Sequence, residues 1–514
     1  MISRNNIRKA SFFKPVLIAV AFLFLSISSF SQYFFNENCQ QAYRSVILLR
    51  FKEARQKLQS EKQQNPTNLV PVYLENYIDF LTLFIGEDRA EFEKLKSLKS
   101  KRIHLLEDGR EDSPFYRFCL GEVHLQWAFA RLKFGEYTAA ALEIRKAYQL
   151  FSENEERFPT FLPNKIGLGV VHVTAGIVPD NYRWIANLMG VEGSMENGLG
   201  EIYRVASYSG KDESVQLFQP EAIFYLATIA ANLQKNKRSA LPIIQLIQSR
   251  DYGQDLTESP LMIYGRTSIL MKNGLNDEAL KILQQRTLDD QQFPFCYLDY
   301  MEGLCRLNRL DMGSADCFHR YLQHFKGLNY IRSAYQKLAW IALLQGDSAK
   351  YRYNLTMILR FGNSFVDEDK QALFEASKGI PPNVILLRSR LLFDGGYFEL
   401  ALKELLDNSV KKYLKTHKDL VEYTYRLARI YHEQGNTAQA LDHYRQTILR
   451  GKNDPWYYAA ASAYQMGLIY ENSGLVSQAD SSYRVCLSIK TGEYKTSLSQ
   501  KAKAGLNRLR KINP

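Results

Sequence analysis

Residues 427–444 read LARIYHEQGNTAQALDHY, and residues 466–483 read MGLIYENSGLVSQADSSY. Both stretches place a glycine seven positions after a small residue, a second small residue at position twelve, and a tyrosine four positions later. Small residues let two helix backbones approach closely, and a glycine between them allows the left-handed backbone that ends a helix. The spacing therefore predicts two helix–turn–helix units, with these positions at Ala428, Gly435, Ala440 and Tyr444, and at Gly467, Gly474, Ala479 and Tyr483.

Together with Leu427, Tyr431 and Pro455 in the first unit and Met466 and Tyr470 in the second, this frame resembles the tetratricopeptide repeat. The resemblance implies an all-α fold, a right-handed superhelical α-solenoid of helix pairs. One pair cannot bury its own apolar face, so several pairs must stack. The resemblance also implies a binding surface rather than a reaction centre.

Weaker copies of the frame extend toward the N-terminus, where a glycine-to-alanine step of five residues recurs at Gly135 and Ala140, Gly274 and Ala279, and Gly396 and Ala401. We therefore predict degenerate helical repeats in residues 32–157 and 216–382, and regular units in residues 383–493. A basic capping helix is predicted in residues 494–514, with one apolar face formed by Leu498, Ala502, Leu506 and Leu509.

Residues 158–215 break the frame, and their pattern predicts three helices. The first begins near Ile166, the second follows Pro179 with Asp180 as its cap, and the third begins at Ser194, whose hydroxyl suits an N-cap. Residues 167–201 resemble the central motif of the eukaryotic tetratricopeptide-39 and inclusion-body clearance proteins. That family's role is loosely defined around lipid stores, aggregates and membranes, so the resemblance implies a fold rather than a particular ligand.

The N-terminus has the pattern of a secretory signal peptide, predicted to span residues 1–31. Four basic residues and no acidic residue precede an apolar run over residues 16–30, and Ser29 and Ser31 are small residues at a cleavage site. The apolar run is shorter than the roughly 20 residues that span a bilayer, although an uncleaved membrane anchor is the alternative. The ending resembles signals from Bacteroidota and implies a periplasmic or secreted protein.

Charge and cysteine content restrict the class of protein further. The net charge of +12 falls to +8 when the four bases of the signal are removed, which mildly favours acidic partners or anionic membrane surfaces and does not suggest nucleic acid. The six cysteines lack metal-ligand spacing, so we expect mostly buried thiols. Cys305 and Cys317 are the pair that a helical hairpin would bring face to face.

No catalytic motif is present. The sequence lacks HExxH, GxSxG and GxxxxGK[ST], and His319 and His324 are five residues apart, on diverging faces of a helix. We therefore expect no catalysis, no cofactor and no metal. An unrecognised hydrolase is the remaining enzymatic alternative.

Two surfaces are candidate binding elements. In repeat solenoids the first helix of each pair lines the concave face, and tyrosine and arginine are frequent interface anchors. Projecting the two regular units gives a candidate groove for an envelope protein at Glu422, Tyr425, Arg429, His432, Gln465, Leu468, Glu471 and Asn472. The alternative is peripheral membrane or lipid association through the basic terminal helix and the element Pro179, Tyr182, Arg183 and Trp184.

Overall fold

The computed structural model describes residues 31–178, 183–233, 237–249, 258–287, 289–492 and 494–512. The predicted signal peptide lies outside these residues except for Ser31. The described chain is helical, and its only extended pairings are two isolated bridges, Ser31 with Gly109 and Gln32 with Asn68. Among the described residues, no helix combines the length and apolarity needed to cross a bilayer.

The helices of the N-terminal half are α1 Glu37–Ile47, α2 Phe51–Gln64, α3 Val70–Gly86, α4 Arg89–Lys96, α5 Leu98–Glu107, α6 Pro114–Lys133, α7 Tyr137–Arg157, α8 Asn164–Ile177, α9 Arg183–Met189, α10 Met195–Ala206, α11 Glu213–Leu233 and α12 Leu241–Ser249. Helices α8 to α10 match the three helices predicted in the segment that breaks the frame. The Ser194 hydroxyl caps α10 by accepting the backbone N–H of Asn197, as predicted, whereas Asp180 lies outside the described residues.

The helices of the C-terminal half are α13 Pro260–Lys272, α14 Asn276–Gln285, α15 Tyr297–Asn308, α16 Ser314–His324, α17 Ile331–Leu344, α18 Ser348–Arg360, α19 Asp367–Lys378, α20 Val384–Asp394, α21 Phe398–Leu406, α22 His417–Glu433, α23 Thr437–Gly451, α24 Tyr458–Asn472, α25 Val476–Ser488 and α26 Lys495–Ile512. Consecutive helices pair across short turns and stack into an α-solenoid of helix pairs. The predicted capping helix is α26, and its four predicted apolar residues are buried against the last pair.

Aromatic side chains on the second helix of a pair pack between that pair and the next one. Phe151 of α7 lies between Gly121 of α6 and Gly167 of α8, and a Cβ atom on Gly121 would lie 2.6 Å from the Phe151 ring. At the other end of the chain, Tyr483 of α25 lies between Gly467 of α24 and a glycine of α26. The small residues of the frame therefore make room for a buried ring that contacts both its own pair and the next.

In the C-terminal half the stacking order departs from the chain order at α20. Helix α20 packs against α15 and α17, so α18 and α19 lie outside the row of pairs. The turn between α20 and α21 also meets the turn between α13 and α14: Gly396 touches Gly274, and the Tyr397 hydroxyl donates to Asp277 at 2.7 Å. Two turns about 120 residues apart in sequence thus meet backbone to backbone.

The first helix pair, α1–α2, forms hydrogen bonds and an ion pair with residues from the middle of the chain. The Ser259 hydroxyl donates to the carbonyl of Ile47 at 2.6 Å, and Arg50 pairs with Asp289 at 3.1 Å. Tyr43 of α1 donates to Glu221 of α11 at 2.7 Å. These contacts close the N-terminal half around one large apolar core instead of leaving it an open array.

The six cysteines are buried free thiols. Cys305 and Cys317 therefore form no disulfide in this structure. Burial raises the pKa of the Cys305 thiol to about 12 and that of Cys317 to about 11, which makes both thiols poor nucleophiles at neutral pH.

Two carboxyl groups lie inside the N-terminal core. Glu122 and Glu221 are each about 1% exposed, and neither carboxylate oxygen of Glu122 has a hydrogen-bond partner. Burial raises the pKa of Glu221 from 4.5 to about 6, and burial together with the charge of Glu221 raises the pKa of Glu122 well above its ordinary value. The fold therefore favours the protonated forms.

We expect this pair to make stability fall as the pH rises. The native state holds protons that the unfolded chain releases above pH 4.5, so the stabilisation is complete below that pH and is lost as the pH rises through about 6. For Glu221 the loss is about 2 kcal/mol. Between pH 5 and pH 8 the wild type should lose about 1 kcal/mol that Glu221→Gln keeps, so the variant should melt about 1–2 °C further above the wild type at pH 8 than at pH 5. The exposed control Glu278→Gln should show no such pH-dependent difference; an unchanged offset for Glu221→Gln would contradict this account.

Candidate partner-binding groove

A groove runs along the first helices of the last pairs, α20, α22 and α24, and along the capping helix α26. Its inner chamber has a volume of about 250 Å³ and its outer chamber about 680 Å³. The two chambers share the side chains of Arg390, Tyr457 and Tyr494, so they form one continuous site. The regular repeat stacking creates this groove because it aligns equivalent faces of successive helices.

Arg390 and Arg429 occupy the same repeat position, six residues before the turn glycines Gly396 and Gly435. The guanidinium group of Arg390 lies 4.9 Å from the ring of Trp340, and that of Arg429 lies 4.9 Å from the ring of Phe393. Each arginine thus stacks on an aromatic ring of the preceding part of the stack. Stacking on a ring restricts the orientation of the planar guanidinium group. Its N–H groups point outward in that plane and can still donate hydrogen bonds.

The charges of these two arginines are only partly compensated within the protein. Arg390 lies 3.7 Å from Asp394, and Arg429 lies 3.8 Å from Glu433; both distances are longer than a hydrogen bond. Arg429 also donates to the Tyr425 hydroxyl at 3.2 Å. The side chains are 30% and 24% exposed respectively, and both line the inner chamber.

Arg426, the neighbouring arginine, serves the fold instead. It donates to Glu422 at 2.6 Å, and Tyr458 donates to the other carboxylate oxygen of Glu422 at 2.6 Å. Burial alone would raise the pKa of Glu422, but the Arg426 charge and the Tyr458 hydrogen bond hold that pKa below its ordinary value. Glu422 is therefore an internal counter-ion and is not free to bind a partner.

The outer chamber is largely apolar and aromatic. Its wall includes Phe374 and the 66% exposed Ile380 on one side, and Trp456, Tyr457 and Tyr494 on the other. His417, which also lines this chamber, lies 3.0 Å from Asp454. This chamber suits a large apolar side chain of a ligand.

The wall of the whole groove carries an excess of positive charge. The lining includes six cationic side chains, Arg390, Arg426, Arg429, Lys501, Lys378 and Lys418, and three acidic ones, Asp394, Glu375 and Glu422. Three positive charges are therefore in excess along a surface with aromatic walls. Such a surface attracts acidic ligands.

The structure places the predicted groove residues in several environments. Tyr425, Arg429 and Gln465 line the inner chamber, and Glu422 lines the outer one. His432 instead contacts the hydroxyl of Tyr444, and the remaining three lie outside both chambers: Leu468 packs against the core, Glu471 pairs with Arg508 and Tyr483, and Asn472 is exposed.

The sequence interpretation missed Arg390, Tyr457, Tyr494, Ser497 and Lys501. The sequence does contain a signal for Arg390. Arg429 precedes its turn glycine by six residues, and Arg390 precedes Gly396 by the same number. The other four residues lie in the loop before α24 and around the start of α26, where the repeat frame does not extend. No pattern in the sequence aligned them with the groove.

The predicted membrane element is partly described. Pro179 and Tyr182 lie outside the described residues, and Arg183 begins α9. Trp184 is 51% exposed and lies beside the turn between α6 and α7, where it helps to line a cavity of about 350 Å³. The second part of that hypothesis, α26, has its apolar face buried in the stack. Membrane association through these elements stays a prediction.

Comparison with known families agrees with the frame at the C-terminus. Residues 424–455 match the tetratricopeptide repeat model. This repeat comprises most of α22 and all of α23, and it includes Tyr425, Arg426 and Arg429 of the groove. No curated protein matches the chain.

Several solved structures are similar to this chain at low identity. The human IFIT1 dimer with PPP-AAAA has 14% identity and a TM-score of 0.36, covering 80% of this chain and 94% of that one. Naa15/Naa10 bound to HypK-THB has 13% identity and a TM-score of 0.24, with coverage of 92% and 78%. The APC/C hetero-tetramer Cut9–Hcn1 has 12% identity and a TM-score of 0.21, with coverage of 96% and 99%. Similarity at this level carries no ligand or partner over to this chain.

Proposed function

We propose that this protein is an exported, non-catalytic scaffold that binds a protein partner of the cell envelope in the groove formed by α20, α22, α24 and α26. The observation that carries the proposal is the repeated, ring-stacked arginine pair Arg390 and Arg429, which faces a continuous groove with aromatic walls. Arginine and tyrosine that are held rigidly in a concave surface contribute strongly to protein interfaces.

The groove suits a segment of a partner better than a compact small molecule. Its chambers follow one another across four helices, so a ligand must be long enough to contact several consecutive helices. An extended chain or a helix laid in such a groove meets this requirement.

Filling the inner chamber should abolish partner binding. Ser497 is half-buried in the groove wall and Ser481 is exposed on α25, so Ser497→Trp and Ser481→Trp add the same bulk at a binding and a non-binding position. We expect affinity purification from envelope fractions, quantified by mass spectrometry, to lose at least tenfold of a specific partner with Ser497→Trp and to retain it with Ser481→Trp. Equal recovery with both variants would remove the groove from the proposal.

The same purification tests export. The small residues before Gln32 motivate cleavage there, so the mass of the purified chain should correspond to a mature N-terminus at Gln32. A chain that retains residues 1–31 would instead support the membrane-anchor alternative.

A further inference from the structure

We propose that the groove recognises an acidic segment of the partner in which carboxylate side chains flank one large apolar residue. The carboxylates bind Arg390 and Arg429, and the apolar side chain enters the outer chamber. This inference rests on the proposed function, because it names the chemistry of the partner that occupies the same groove.

Charge complementarity is the first argument. Of the three acidic groups in the groove wall, Glu422 is bound by Arg426, and Glu375 accepts hydrogen bonds from Gln336 at 2.7 Å and Trp340 at 2.8 Å. Asp394 lies 3.7 Å from Arg390. The cationic groups are therefore in excess where a ligand would lie. An acidic segment complements this surface, whereas a basic segment would be repelled.

The rigidity of the arginines is the second argument. Trp340 supports one face of Arg390, and Phe393 supports one face of Arg429. A guanidinium group held in this way loses little conformational entropy on binding and presents paired N–H donors that match the geometry of a carboxylate. The protein thus holds two carboxylate-binding groups in position before a ligand arrives.

The distribution of the cations indicates side-chain carboxylates rather than a chain terminus. Lys378 and Lys418 lie along the outer chamber, Arg390 lies between the chambers, and Arg429 and Lys501 lie along the inner one. A single terminal carboxylate contacts only one part of this row. A segment with several acidic side chains meets all of it.

The apolar residue of the motif follows from the outer chamber. The exposed Ile380 and the half-buried Trp456 form part of an apolar wall, and covering such a surface removes it from water. Lys418 and Arg390 also line this chamber. An apolar side chain bound there is therefore close to the cations that bind its acidic neighbours.

Fluorescence anisotropy with synthetic peptides tests the inference. The probe is a fluorescein-labelled, C-terminally amidated peptide of sequence DEDFDED, compared with the neutral NQNFNQN amide, the NQNFNQN free acid and the DEDGDED amide. We expect the acidic aromatic probe to bind at least tenfold more tightly than either neutral peptide and at least threefold more tightly than DEDGDED. The affinity for DEDFDED should fall as the salt concentration rises, because salt screens the attraction between the acidic side chains and the cationic groove. Equal affinity for the neutral amide, or preference for the neutral free acid, would overturn the inference.

Variants of the protein provide the second arm. Arg390→Gln/Arg429→Gln should weaken DEDFDED binding at least tenfold, while Arg352→Gln, an exposed arginine on α18, should change it less than twofold. Lys418→Gln/Lys501→Gln leaves the stacked arginines intact and should weaken binding at least threefold, which covers the case in which the arginine variant does not fold. Unchanged binding in either groove variant contradicts the inference.

The experiments distinguish a failure of the proposed docking site from a failure of the proposed acidic ligand. If Ser497→Trp abolishes partner recovery but DEDFDED does not bind, the groove is the docking site and its ligand is not acidic. If DEDFDED binds through Arg390 and Arg429 but Ser497→Trp leaves partner recovery unchanged, the groove has the predicted chemistry and the partner uses another surface.

Discussion

Gly396→Ala should destabilise the C-terminal half of the solenoid by about 3–4 kcal/mol, whereas Gly435→Ala should cost only about 1 kcal/mol. Both glycines have a left-handed backbone, with φ of +83° and +80°. A Cβ atom on Gly435 has no neighbour within 4 Å, but one on Gly396 would overlap the carbonyl oxygen of Gly274 and lie 2.8 Å from its Cα atom. The difference between the variants therefore isolates the contact between two turns that are distant in sequence.

Native-state hydrogen exchange measures this difference locally. We expect the free energy of opening to fall in α13–α14 and α20–α21 for Gly396→Ala. Gly435→Ala should affect α22–α23 alone and by the smaller amount. Similar losses in both variants would mean that the turns of α13–α14 and α20–α21 do not touch, and the stacking order described above would be wrong.

Tyr483→Ala should release the capping helix, at a cost of about 3–5 kcal/mol. The ring is fully buried and contacts Gly467 and Gly505, and its hydroxyl donates to Glu471, which also accepts from Arg508 at 2.5 Å. Removing the ring leaves a cavity between α24 and α26 and weakens the contact that holds α26 in place. Hydrogen exchange of α26 should increase accordingly.

Tyr483→Phe is the matched control. It keeps the ring and loses only the hydroxyl, so we expect a cost of about 1 kcal/mol. Because Ser497 and Lys501 of α26 line the groove, Tyr483→Ala should also weaken ligand binding while Tyr483→Phe preserves it. Equal exchange of α26 in both variants would show that the buried ring does not hold the last helix.

The local parts of the fold were predictable from the sequence. The predicted small positions Ala428, Ala440 and Ala479 are fully buried, as are the rings of Tyr444 and Tyr483. These positions were identifiable because each depends only on neighbours within one or two helices, and such neighbours leave a fixed spacing in the sequence. The apolar face of α26 follows a local spacing of the same kind, and its residues Leu498, Ala502, Leu506 and Leu509 are buried.

The long-range contacts were not predictable. The meeting of Gly274 with Gly396 and the pairing of Arg50 with Asp289 join positions that no local spacing relates. The displacement of α18 and α19 from the row of pairs depends on another long-range contact, the packing of α20 against α15 and α17. Periodicity reports which face of a helix is buried, but it does not report which distant element covers that face.

The candidate site was predicted in part for a related reason. Tyr425 and Arg429 were found because they lie in one of the two clearest units, and Arg390 lies at the same repeat position as Arg429 in a weaker unit. Glu422 and Glu471 were assigned to the groove from helix projection alone, although both are engaged by arginines of the fold. Helix projection gives a direction for a side chain and gives no information about its counter-ion.

The most direct test of the central claim is photo-crosslinking in the native cell. A photo-reactive phenylalanine at Gln465, within the inner chamber, is compared with the same group at Leu449, which is 73% exposed on α23 and does not line the groove. We expect a specific protein adduct from position 465 that disappears when Ser497→Trp fills the chamber, and no such adduct from position 449. An adduct from position 449 alone, or one from position 465 that persists with Ser497→Trp, would contradict the claim that this groove is the partner-binding site.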